Sequence, residues 1–142
     1  MIKVAIIGTG AISTAHIDAY LQFPDRCKIT ALCDLYPEKA AAKRTQFGLD
    51  AKVVSDHREL LDGDIDLVSI CLPPYVHAPV TIDFLNAGSH VIVEKPMASS
   101  LKECDEMIEA AKRSGKLLSV VAQNRFRGPI MKLKQVLDSG LA

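Results

Sequence analysis

The sequence predicts an α/β fold built on a doubly wound parallel sheet in a single domain. Three observations carry that expectation. Strand-like and helix-like segments alternate from one end of the chain to the other. The strand-like runs are apolar throughout, not at every second residue, as in strands covered on both faces. At 142 residues the chain has room for one substantial core but not for two ordinary ones.

The elements follow in order. Residues 3–7 read as a strand and 11–21 as a helix, with Pro24 beyond it. Residues 28–33 form a second strand. Residues 37–46 form a helix with proline in its first turn and Gly48 after its end, the usual asymmetry of helix termini. Residues 52–55 make a short strand, and Asp56 is placed to cap a short helix through Leu61. Residues 67–72 are a continuous apolar strand, 76–87 a helix closed by Gly88, and 91–93 a strand. Ser100 and Glu103 have the spacing of a capping box. Leu101, Cys104, Ile108 and Ala111 then share one helical face, and Gly115 ends the helix. Residues 117–121 are a sixth strand, and a last helix runs from Pro129 to Gly140. Right-handed crossovers between such strands wind the sheet in both directions. Ligands of such sheets lie beyond the carboxyl ends of the strands, so the loops after Ile7, Cys33, Leu72, Val93 and Val121 are the ones to watch.

Composition narrows the function. The formal net charge is zero, which argues against nucleic acid or an anionic membrane as the main partner. No apolar run reaches the roughly 18 residues of a membrane helix. The start MIKVAIIGTG lacks the long apolar core and cleavage site of a signal peptide, so the cytoplasm is the expected compartment. Cys27, Cys33, Cys71 and Cys104 have no C-x-x-C spacing and read as buried thiols. His16, His57, His77 and His90 show no ligand spacing, so no metal site is expected.

Four loops carry chemistry. In GTGAIS, Gly8 permits a tight turn after the first strand, and Gly10 lets a pyrophosphate approach the backbone. The free N–H groups at the helix start would bind its phosphates. The third fingerprint position, usually Gly or Ala, is Ser13. The same residues would also serve a plain strand–helix turn. In ALCDLYPEK, Asp34 ends the second strand 24 residues after Gly10, the spacing of the acid that accepts ribose hydroxyls in Rossmann folds. That carboxylate would repel a 2′-phosphate, and Leu35 and Tyr36 follow where an arginine would be needed, so NAD is favoured over NADP. Asp34 could instead only cap the next helix. In CLPPYVHAP two prolines force a sharp exit, and His77 opens the next helix as either a site residue or a cap. In VIVEKPMA, Glu94 and Lys95 leave the sheet on the ligand side, and Pro96 restricts the orientation of Lys95. An ammonium there could hold a substrate oxygen, or pair with Glu94 at the surface.

Together GTGAIS, ALCDLYPEKA, CLPPYVHAP, LNAGSHVIVEKPMA and QNRF stand in the order and spacing of the glucose-fructose oxidoreductase/inositol dehydrogenase (Gfo/Idh/MocA) family. The chain resembles that family's N-terminal domain over nearly its whole length. The resemblance implies an NAD(P)-dependent oxidoreductase that moves a hydride between a nicotinamide and a secondary hydroxyl or ketone of a sugar or cyclitol. It implies that Gly8, Gly10, Ala11 and Ile12 bind the pyrophosphate and Asp34 the adenosine ribose. Leu72, Pro73 and His77 would line the cofactor cleft, and Glu94 would lie near the nicotinamide ribose. Lys95 would be the catalytic residue beside the nicotinamide and the substrate oxygen, after a cis peptide to Pro96. Gln123, Asn124 and Arg125 would continue the cleft.

Members of that family carry a second α/β domain with most of the substrate contacts. This chain stops at LDSGLA, about where that domain would begin. Residues 1–142 are therefore expected to be a dinucleotide-binding domain without its substrate domain, inactive alone, with exposed apolar surface that favours a homo-oligomer or low solubility. A stand-alone nucleotide-binding module or redox sensor is the alternative. A site for another adenosine-containing ligand, such as coenzyme A, fits less well, because its ribose phosphate would meet Asp34.

Overall fold

The computed structural model of the protein describes residues 1–62 and 64–140; the last two residues of LDSGLA lie outside them. Six strands are formed: β1 (Ile2–Ile7), β2 (Cys27–Cys33), β3 (Lys52–Val54), β4 (Leu67–Ile70), β5 (His90–Val93) and β6 (Leu118–Val120). The helices are α1 (Ser13–Leu21), α2 (Pro37–Gln46), α3 (His77–Asn86), α4 (Leu101–Ser114) and α5 (Gly128–Asp138). Short 3₁₀ turns lie at His57–Leu60, Pro74–Val76 and Gln123–Phe126. All the strand pairs are parallel, in the order β3-β2-β1-β4-β5-β6. The order reverses between β1 and β4, and in open α/β sheets ligands bind beyond the carboxyl ends of the strands at such a reversal.

The apolar strands are explained by two cores. Val4 and Ile6 of β1 pack with Ile17 of α1 and Ala40 of α2. Ala5 and Ile7, the alternate residues, pack with Phe84 and Leu85 of α3 and with Met107 and Ala110 of α4. Side chains alternate across a strand, so each face of the sheet has its own helical layer. Burying a side chain the size of Phe84 or Ile6 stabilises the fold by about 1.5–3 kcal/mol.

Three local expectations need correction. α1 begins at Ser13 and not at residue 11, because the glycine loop takes in Ala11 and Ile12. Only half of the α4 capping box forms. Ser100 Oγ accepts the Glu103 amide, but the Glu103 carboxylate accepts the amide of Ser99. The buried face of α4 is Met107 and Ala110; Leu101 is 84% exposed and Ile108 40%. The helix leans on α3, and β6 is only three residues long. An open apolar groove of about 480 Å³ is left between α4 and β6, lined by Ile108, Ala111, Leu117, Leu118 and Val120. The complete reciprocal cap occurs instead at Asp56 and Glu59, on the short turn before β4.

Candidate functional site

Backbone hydrogen bonds bring the loops to one edge. The Gly8 amide donates to Cys33 O at 2.8 Å, the Asp34 amide to Val54 O at 3.2 Å, and the Glu94 amide to Ile70 O at 3.0 Å. The glycine loop, the Asp34 loop and the Glu94–Lys95 turn therefore share the carboxyl rim of the sheet.

The two glycines of the first loop do different work. Gly8 has φ +90°, and a Cβ there would lie 2.7 Å from Cys71 O and 3.0 Å from Leu72 Cδ2. Leu72, half-buried, thus packs directly on the turn. A Cβ on Gly10 would meet nothing within 4 Å, so this glycine faces open space. Among the described residues the amides of Gly10, Ala11 and Ile12 donate to no group of the chain. Exposed, unspent N–H groups ahead of a helix suit a dinucleotide's pyrophosphate. Ser13 is buried, and its hydroxyl donates to Gly10 O at 2.6 Å. The unusual third fingerprint residue therefore closes the turn it seemed to weaken.

Asp34 is set by its neighbours. Its Oδ2 accepts the Thr9 amide at 2.8 Å and the Thr9 hydroxyl at 2.6 Å, and its Oδ1 accepts the Tyr36 amide at 3.0 Å. Burial alone would raise this carboxyl. The Thr9 hydroxyl, the Thr9 and Tyr36 amides and the Lys39 charge outweigh burial and hold it below the usual aspartate value. An ionised carboxylate offers about four acceptor positions, so Oδ1 keeps capacity for a ligand hydroxyl. Thr9, which no sequence motif singles out, is what holds Asp34 Oδ2 in place. Lys39 adds a cation near Asp34, and its Nζ stacks 4.4 Å above the Tyr36 ring.

The other rim residues divide into exposed and buried groups. Pro73, Lys95 and Asn124 are exposed, and so are Gln123 and Arg125 beside Asn124. The Lys95–Pro96 peptide is cis. Glu94 is buried; one carboxylate oxygen accepts the Lys95 amide at 3.1 Å and the other meets His16 Nε2 at 3.1 Å. His77 is wholly buried. Its ring lies 2.7 Å from Leu72 O and 2.9 Å from Pro96 O, so it ties two loops together beneath the rim and its side chain offers no open surface to a ligand. The remaining histidines are spent elsewhere, His57 on Asp83 and His90 on the Leu117 amide. Cys33 and Cys71 are buried, and burial is the main reason that both thiols are pushed up to about 12. No helix of the described residues is long and apolar enough to cross a membrane.

Comparison with known proteins extends this picture. Residues 2–122 match the family model described as oxidoreductase family, NAD-binding Rossmann fold (GFO_IDH_MocA). The chain is 30% identical over 141 residues to inositol 2-dehydrogenase of Salmonella typhimurium, covering 98% of this chain and 42% of that protein. It superposes on the WlbA dehydrogenase of Bordetella pertussis, solved with NADH and UDP-GlcNAcA, with a TM-score of 0.90 and 31% identity, over 98% of this chain and 40% of that one. Levoglucosan dehydrogenase in complex with NADH gives a TM-score of 0.88 at 29% identity, over 98% of this chain and 39% of that one. The chain thus spans about two fifths of the length of the relatives it matches.

Proposed function

Because the chain belongs to the Gfo/Idh/MocA oxidoreductase family, with its NAD-binding Rossmann fold, we propose that it holds the cofactor for a dehydrogenase acting on a sugar or cyclitol. NAD is the preferred dinucleotide. The amides of Gly10, Ala11 and Ile12 receive the pyrophosphate, and the free capacity of Asp34 Oδ1 receives an adenosine ribose hydroxyl. Leu72 and Pro73 wall the cleft, with His77 fixing the loop that carries them. Glu94, Lys95 and Asn124 stand at the nicotinamide end.

The cofactor supplies the hydride chemistry, and the protein supplies proximity, orientation and charge. Lys95 is exposed on the rim, where its ammonium stabilises negative charge growing on the reacting oxygen. The inositol and levoglucosan dehydrogenases among its relatives support a polyhydroxylated substrate for the whole protein.

One observation carries the NAD preference. Asp34 is held ionised at the ribose position by three hydrogen bonds, and a 2′-phosphate would meet that charge. Calorimetric titration with NAD and with NADP tests it. NAD should bind more tightly, and Asp34→Ala should erase most of the difference. NADP binding equal to NAD in the unaltered chain would refute the preference and would put Lys39 in the role of phosphate partner.

A further inference from the structure

Under the rim, four side chains from three elements form one hydrogen-bonded relay. Tyr20 Oη lies 2.7 Å from Ser69 Oγ, and Ser69 Oγ lies 3.2 Å from His16 Nδ1. His16 Nε2 lies 3.1 Å from Glu94 Oε1, and Glu94 Oε2 accepts the Lys95 amide. The relay joins α1 through β4 to the turn after β5. It is nearly dry: Ser69 is wholly buried, and the side chains of His16 and Glu94 are 11% and 8% exposed.

Donor and acceptor roles follow from chemistry. A carboxylate only accepts, so His16 Nε2 carries the proton it donates to Glu94. In the neutral ring Nδ1 then accepts from Ser69, and Ser69 Oγ accepts from Tyr20. Burial is the main reason that the Tyr20 phenol is raised, which keeps it a donor. The neighbouring Cys71 thiol is held neutral. His16 is the one side-chain partner of Glu94 among the described residues.

We infer that His16 is a positioning residue for the nicotinamide half of the cleft: it orients the Glu94 carboxylate, which in turn holds the backbone of Lys95. This rests on the dinucleotide reading above. A helix residue 78 positions earlier in the chain thereby sets the turn that presents Lys95. Without its N–H, a buried carboxylate loses its partner and is free to rotate away from the Lys95 amide.

Two ligands separate this role from general structural support. NADH spans the whole cleft, whereas adenosine diphosphate stops at the pyrophosphate, short of the ribose beside Glu94. His16→Leu should weaken NADH binding about tenfold and leave adenosine diphosphate binding unchanged. His16→Gln, which keeps an N–H for Glu94 and an oxygen for Ser69, should restore NADH binding. If His16→Leu does not fold, His16→Met, of similar size and also without an N–H for Glu94, carries the test, with the same selective loss expected. Equal loss of both ligands, or loss of neither, overturns the inference while the cofactor reading stands. Failure of the unaltered, folded chain to bind either ligand overturns both.

Discussion

β1 and β6 belong to one parallel sheet but live in different surroundings. Val4, Ala5, Ile6 and Ile7 are all buried, and each packs under a helix on its own face. No residue of β6 or α5 is buried. Leu117, Phe126, Leu133 and Leu137 stand largely exposed. The loops that hold the glycine turn and Asp34 are thus rooted in a closed core, whereas Gln123, Asn124 and Arg125 stand on a part of the fold that little else covers. The rim at the glycine turn and Asp34 is held by a closed core, and the rim at Lys95 is held mainly through Glu94.

The largest expected contrast is in stability. Phe84→Ala, at the centre of the closed core, should cost about 3–5 kcal/mol in chemical denaturation. Leu133→Ala, on the exposed face of α5, should change stability by no more than about 0.5 kcal/mol. Comparable costs at the two sites would mean that α5 is covered in solution, for instance by a second copy.

The next contrast lies within the glycine loop. Gly8→Ala forces a side chain into a left-handed backbone position against the Cys71 carbonyl, and should destabilise the fold by about 1–3 kcal/mol. Gly10→Ala meets no protein atom and should leave the melting temperature nearly unchanged while weakening NADH binding. A Gly10→Ala chain that binds NADH normally would remove the pyrophosphate from this loop.

The smallest effect concerns pH. The Asp34 carboxyl is depressed in the fold, so its stabilising contribution is present above the ordinary aspartate value of about 3.9. It is lost as the pH falls through the depressed value. Asp34→Asn should flatten that part of the acid limb of a stability–pH curve. An unchanged limb would mean that the Thr9 bonds do not distinguish the folded from the unfolded carboxylate.

Much of this was legible in the sequence, for local reasons. Pro37 and Gly48 delimit α2 by backbone constraint, and the observed helix has the expected bounds. The all-apolar strands announced a sheet covered on both sides. The face of α4 was not legible, because two stripes compete on that helix. Leu101, Cys104, Ile108 and Ala111 look like a core stripe, but a three-residue β6 offers them too little surface, and Met107 and Ala110 win through α3. The grip of Thr9 on Asp34 spans 25 residues, and that of His16 on Glu94 spans 78. No periodicity encodes a pairing at that distance; only the strand order supplies it.

The sheet ends on both sides in strands of three residues, β3 and β6, each beside a lysine: Lys52 within the first and Lys116 shortly before the second. An edge this short gives a neighbouring molecule only a few backbone rungs to pair with, and a charged side chain obstructs further growth. The apolar side chains around β6 can therefore draw molecules together by contact, but the sheet itself is a poor template for fibril formation.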